Sequence, residues 1–146
     1  MTLSNNFELT EFTRSATAER LKIANQPGDS AIVNLFCLAY HVLQPLRNHY
    51  GRPITISSGY RSPALNAAVG GVANSQHLQG EAADIAIPLG RDGRPDMALA
   101  NDWFAFIQTH LTFDQLILER SAGTVWIHVS CRRDIKQNRR SIIIQS

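Results

Sequence analysis

Between Asp29 and Leu46, apolar residues return every three or four positions: Ile32, Leu35, Phe36, Ala39, Val42, Leu43 and Leu46. That period places them on one face of a long amphipathic helix. Pro45 falls inside the pattern and predicts a kink or a missing backbone bond, because proline has no N–H. The helix is expected to stop before "YGRP". Thr10 and Thr17 read as N-caps of two shorter helices, over 10–15 and 17–24. Ser62 followed by Pro63 reads as the N-cap and first residue of "PALNAAV", which Gly70-Gly71 stops. Met97, Leu99, Ala100, Trp103, Phe104 and Ile107 predict a further helix over 95–110.

The remaining apolar runs are short, β-branched and alternating, as strands are. They are "ITISS" (54–58), "EAADIAIP" (81–88), "FDQLILE" (113–119), "TVWIHVS" (124–130) and "RSIIIQS" (140–146). No repeat, low-complexity tract or linker interrupts the 146 residues, enough to bury one proper core. The expectation is an α+β fold in a single domain spanning 1–146, its N-terminal helices packed on a mainly antiparallel sheet.

Alternate strand residues point to opposite faces, which turns these runs into chemistry. Ile85 and Ile87 take one face of "EAADIAI", while Asp84 shares the other with Ala82 and Ala86, small enough to leave a hollow. Val125, Ile127 and Val129 make an apolar face, so Trp126, His128 and Ser130 point the other way. Leu116 and Leu118 oppose Gln115, Ile117 and Glu119. One sheet face can thus carry Asp84, His128 and Glu119, with His77 reaching over it from the loop "VANSQHLQG". Two imidazoles and a carboxylate, with a second carboxylate as base, are what an open catalytic zinc site requires. The mixed nitrogen and oxygen set suits zinc better than calcium or magnesium. A lone strand histidine is more often a surface residue than a ligand, so spacing alone leaves both readings open. His41, His49 and His110 have no such companions.

Composition changes the picture little: 44% of residues are hydrophobic, 18% charged, and the net charge is +2. That excludes a generally basic nucleic-acid binder. The local run Arg132, Arg133, Lys136, Arg139 and Arg140 reads as a solvated face, or else as an attraction to a polyanionic surface such as a bacterial wall. Two cysteines make no disulfide framework, and Cys37 reads as a small buried hydrophobe. "MTLSNNFELTEF" has neither the basic start nor the apolar stretch of a secretory signal, and no segment approaches the roughly 18 apolar residues of a membrane span. Synthesis in the cytoplasm is expected, without membrane insertion.

The pattern Ser75-x-His77, then Gly80, Ala82 and Asp84, followed by the distant "WIHVS", resembles the zinc D-alanyl-D-alanine peptidase superfamily. That group includes D-Ala-D-Ala carboxypeptidases, vancomycin-resistance dipeptidases, phage L-alanyl-D-glutamate endolysins and hedgehog signalling domains. "SGYRSPALNAAVGG", "FELTEFTRSATA" and "VLQPLR" are similar to its short bacterial and prophage members. The resemblance implies a hedgehog/DD-peptidase-like fold and one zinc ion on His77, Asp84 and His128. It also implies that Arg61 stabilises charge on the substrate or transition state. Dipeptidase and endolysin relatives carry an acid three residues before the last histidine, where this chain has Val125. Hedgehog domains instead place a glutamate at the end of the preceding strand, which makes Glu119 the candidate base and Glu81 a weaker one. Ser75, Gln115 and Trp126 are candidate substrate contacts.

The expected function is zinc-dependent hydrolysis of peptide bonds in bacterial peptidoglycan stem peptides or cross-bridges. The protein would act as a carboxypeptidase or an endolysin-type endopeptidase, as a monomer reaching the cell wall after release. A non-catalytic zinc-bearing binding module, and a metal-free structural or phage-tail component, are the alternatives.

Overall fold

Thr2–Ser4 (β1) and Phe7–Glu8 (β2) pair as a small antiparallel ribbon in the computed structural model, which describes residues 1–145. The ribbon leads directly into Leu9–Thr13 (α1). This helix is started by a capping box and not by Thr10: the Glu8 N–H donates to Glu11 at 2.7 Å while the Glu8 carboxylate caps the first turn. Ala16–Leu21 (α2) is likewise capped by Ser15, two residues before the expected Thr17.

Asp29–Leu38 (α3) and Gln44–Tyr50 (α4) are the two halves of the long amphipathic helix, joined by a wider π-helical turn over Ala39–Leu43. Pro45 accounts for the turn. In a regular helix its ring would press on the carbonyl four residues back, and the Gln44 N–H instead bonds to the Ala39 carbonyl five residues back. Gly51, at φ +63°, ends α4.

Next come Ile56–Ser58 (β3), Pro63–Ala68 (α5) with Ser62 as its expected cap, a 3₁₀ turn at Gln76–Gln79, and Ala82–Ala86 (β4). Met97–His110 (α6) is capped by Asp96. Gln115–Ser121 (β5), Thr124–Ser130 (β6) and Ser141–Ile144 (β7) complete the chain. Ser146, the last residue of the expected final strand, lies outside the described residues.

The main sheet has the order β3-β4-β6-β5-β7 and is antiparallel except at β5 and β7, which run parallel. The expected α+β architecture, helices against a mostly antiparallel sheet, is therefore the one observed. One sheet face is the floor of the core. Ile56, Ile85, Leu116, Ile127 and Val129 are buried there together with Trp103 and Ile107 of α6 and Leu35 and Leu38 of α3. Each such side chain contributes about 1.5–3 kcal/mol on burial. The opposite face holds the polar residues.

Two expectations change. Cys37 is partly exposed, and Cys131 is the fully buried cysteine; burial pushes its thiol up to about 11. The basic run is also not a freely solvated face. Arg132 and Arg139 both pair with Asp114, which is fully buried, and Arg133 bonds Asn34 and Ser30 of α3. Arg140 donates to the carbonyls of Gln108 and Leu111.

Candidate metal centre

Register brings the polar face together. Asp84 of β4 lies directly opposite His128 of β6, which lies opposite Ile117 of β5; in the next row Trp126 faces Glu119. His77 comes from the 3₁₀ turn, where its N–H donates to Ser75 Oγ. Its Nε2 sits 3.4 Å from Asp84 Oδ1, and His128 Nδ1 sits 3.0 Å from the same oxygen. One donor atom from each of the three residues lies within 4.8 Å of the other two. Donors held tetrahedrally around a zinc at about 2.0–2.1 Å stand about 3.3 Å apart, so these spacings suit a small tetrahedral ion.

The surroundings prepare the donors. His77 Nδ1 donates to the Gly59 carbonyl at 2.6 Å, which fixes the ring and turns Nε2 toward Asp84. Burial raises the Asp84 pKa, but hydrogen bonding to His128 and His77 outweighs it and holds the carboxylate ionised, well below its ordinary range.

Arg61 follows β3 and closes one side. Its Nε donates to Ser58 Oγ at 3.2 Å, its Nη1 donates to Asn66 Oδ1 at 3.2 Å, and its Nη2 is 3.7 Å from Asp84 Oδ2. The residues surround a cleft of about 580 Å³, which Glu119, Gln115, Trp126 and Ser75 also line. Eight of the residues singled out from the sequence thus meet in one place, while Glu81, the weaker base candidate, does not line the cleft. Glu119 and Asp84 are the carboxylates on the cleft wall. Neither Arg120, directed at Met97 Sδ, nor Arg133, engaged with Asn34 and Ser30, pairs with Glu119 among the described residues. Val125 is buried on the core face and does not reach the cleft. Glu81 precedes β4 and stands near Arg132 and Gln76, with its pKa raised by burial. The Trp126 indole N–H has no partner among the described residues. A larger hollow, about 780 Å³, lies at the β5–β6 hairpin, but its lining offers one carboxylate, Asp92, and no histidine.

Sequence reading missed the supports. Gly59 and Asn66 fall inside the quoted stretch "SGYRSPALNAAVGG" and Arg139 inside the basic run, but their roles, and that of Asp114, depend on partners that no local period encodes. Asn25 is another. It bonds the Thr13 and Tyr60 carbonyls and the Ser62 N–H, and so pins the turn that carries Arg61.

A zinc D-Ala-D-Ala carboxypeptidase from Streptomyces albus G is 48% identical over 44 residues, which are 30% of this chain and 17% of that protein's length. The chain therefore matches well under two thirds of that relative. The family model for peptidase M15 matches residues 5–130, most of the sequence and every residue of the His77–Asp84–His128 cluster. The chain belongs to the peptidase M15 family.

Proposed function

We propose that the protein is a zinc-dependent peptidase acting on the peptide part of bacterial peptidoglycan, with His77 Nε2, an Asp84 oxygen and His128 Nδ1 as the metal ligands. The observation that carries this reading is the convergence of those three donors in a cleft that also holds Glu119 and Arg61. The name of the Streptomyces relative supports the choice of zinc and of a D-Ala-D-Ala type of substrate.

His77, Asp84 and His128 would hold the zinc, which would supply an acidified water and Lewis-acid polarisation of the scissile carbonyl. The protein's own groups do the rest. Glu119 takes the proton from the attacking water and returns it to the leaving amine. Val125 lies in the core and offers no acid, so the carboxylate on the cleft wall that is not a ligand is the one suited to this task. Arg61, held by Ser58 and Asn66, presents a fixed guanidinium to the developing oxyanion or a substrate carboxylate. Ser75 keeps the His77 turn in shape, and Trp126 with Gln115 walls the cleft.

The test is a digest of purified bacterial peptidoglycan with added zinc, with chelator, and with Glu119→Gln, read by mass spectrometry of released fragments. Release is expected only with zinc and intact Glu119. The variant should keep its bound metal while losing about 10²–10⁴-fold in rate. Fragment masses identify the bond that is cut. Zinc-loaded protein that binds fragments yet releases none would replace this reading with that of a non-catalytic binding module.

A further inference from the structure

Arg139 stands on the cleft wall on the β5–β7 side, across from Arg61, and lies beyond the residues matched to the family. It is an anchored arginine. Its Nε is 3.2 Å from both Asp114 oxygens, its Nη2 donates to Oδ2 at 2.8 Å, and its backbone N–H donates to Oδ1 at 2.7 Å. These bonds use one edge of the guanidinium. The other nitrogen, Nη1, has no protein acceptor among the described residues, and the side chain is 54% exposed.

Charge balance indicates that this arginine is more than a counter-ion. Asp114 already has Arg132 at 3.2 Å. Around Asp114 and Glu81, three arginines (Arg132, Arg133 and Arg139) face two carboxylates. One positive charge is left over, and Arg139 is the arginine of the three that reaches the cleft. Its anchor also fixes its place. Asp114 immediately precedes Gln115, which is two residues along β5 from Ile117, the residue opposite His128. Asp114 itself is therefore three residues from Ile117, an offset along the strand of about 10 Å, or about three residues of an extended peptide.

We propose that Arg139, positioned by Asp114, forms a second anion subsite in the cleft that binds a carboxylate of the substrate on the β5–β7 side of the metal centre. The inference deepens the peptidase reading and rests on it: the substrate class is a peptide carrying a carboxylate about three residues from the bond that is cut. In a stem-type peptide that carboxylate is either the C-terminal one or the α-carboxylate of a γ-linked D-glutamate.

The probe is the pentapeptide L-Ala-γ-D-Glu-L-Lys-D-Ala-D-Ala, with two relatives, one amidated at the C-terminus and one at the D-glutamate α-carboxylate. Binding to metal-free protein is measured by calorimetry, and kcat and KM are measured separately on zinc-loaded protein. Arg139→Gln should weaken binding of the free acid about tenfold or more, the scale of a lost charge-assisted hydrogen bond. It should leave unchanged the binding of whichever amide lacks the recognised carboxylate, and that amide names the source. Arg139→Lys should restore part of the loss, which guards against a variant that fails to fold. The loss should fall on KM more than on kcat.

Equal weakening on the acid and both amides would reduce Arg139 to a scaffold residue, and no weakening on any, or no binding by the wild type, would overturn the subsite. Carboxylate-dependent binding without hydrolysis of any peptide would sink the peptidase reading and leave the subsite standing. Hydrolysis indifferent to Arg139 and to amidation would do the reverse.

Discussion

Gly59 joins packing to chemistry at a single residue. A Cβ there would meet the Phe12 backbone at 2.7 Å, and Phe12 is fully buried, so nothing can yield cheaply. The next residue, Tyr60, donates its N–H to the Phe12 carbonyl, and the Gly59 carbonyl holds His77 Nδ1. A methyl group would push the strand end away from α1 and move the acceptor that fixes the imidazole. Gly59→Ala should therefore lower the melting temperature and also weaken zinc affinity about 10–100-fold, the usual loss when the group orienting a histidine ligand is disturbed. Titration with a competing chelator reads the affinity. An unchanged zinc affinity in a folded variant would mean that the carbonyl does not orient the ligand. Gly80 behaves similarly at the other end of the turn: it sits at φ +72° with the Ala31 carbonyl against its Cα, so side chains are excluded there.

At the level of elements, the parallel placement of β7 requires an explanation, since β6 and β7 flank β5 and the link over 131–140 must cross its end. Asp114, just before β5, clamps both ends of that crossing through Arg132 and Arg139. Burial alone would raise its pKa, but bonds from Arg139 and then Arg132 pull it down to about 2. A carboxyl depressed in the folded state contributes stability above its unfolded pKa, near 4, and that stability is lost as the pH falls toward 2. The amount is on the order of 2 kcal/mol. Asp114→Asn should remove that much at neutral pH and remove the corresponding leg of acid unfolding. Amides of β7 and of the crossing should be the first to lose exchange protection. Superimposable acid-unfolding curves for wild type and variant would sink this account. The clamp also explains why the basic run was misread. Arg139 meets Asp114 across 25 positions of chain, and no local period encodes that separation. The N-caps slipped for a related reason: Glu8 and Ser15 cap through geometry that Thr10 and Thr17 imitate in composition.

Across the whole molecule, what could be read in advance followed a period. The two-residue alternation of β4, β5 and β6 was enough to set Asp84, His128 and Glu119 on one face, and the register then made them neighbours. His77 sits in a turn, where periodicity is silent; its loop just before β4 let it reach the face, the likeness to known sequences then implied it as a ligand, and Gly59 and Gly80 account for its position. The three donors belong to three separate elements, the 3₁₀ turn, β4 and β6, and all are brought together only by the folded sheet and the packing of the turn on α3. An unfolded chain offers no such arrangement, so a metal bound at the proposed site would act as a brace on the entire fold. At a free zinc concentration about 100 times the Kd, linkage adds about 2.7 kcal/mol, which raises the melting temperature by several degrees for a chain of this size. Wild-type protein stripped of metal should melt early and recover on adding zinc, while His128→Ala should start lower and gain nothing. Glu119→Gln should gain as much as the wild type, because Glu119 is proposed as the base and is not one of the three metal-holding residues. If zinc moved the melt of His128→Ala as far as that of the wild type, the ion would be binding elsewhere, and the site built on β4 and β6 would not be the metal centre.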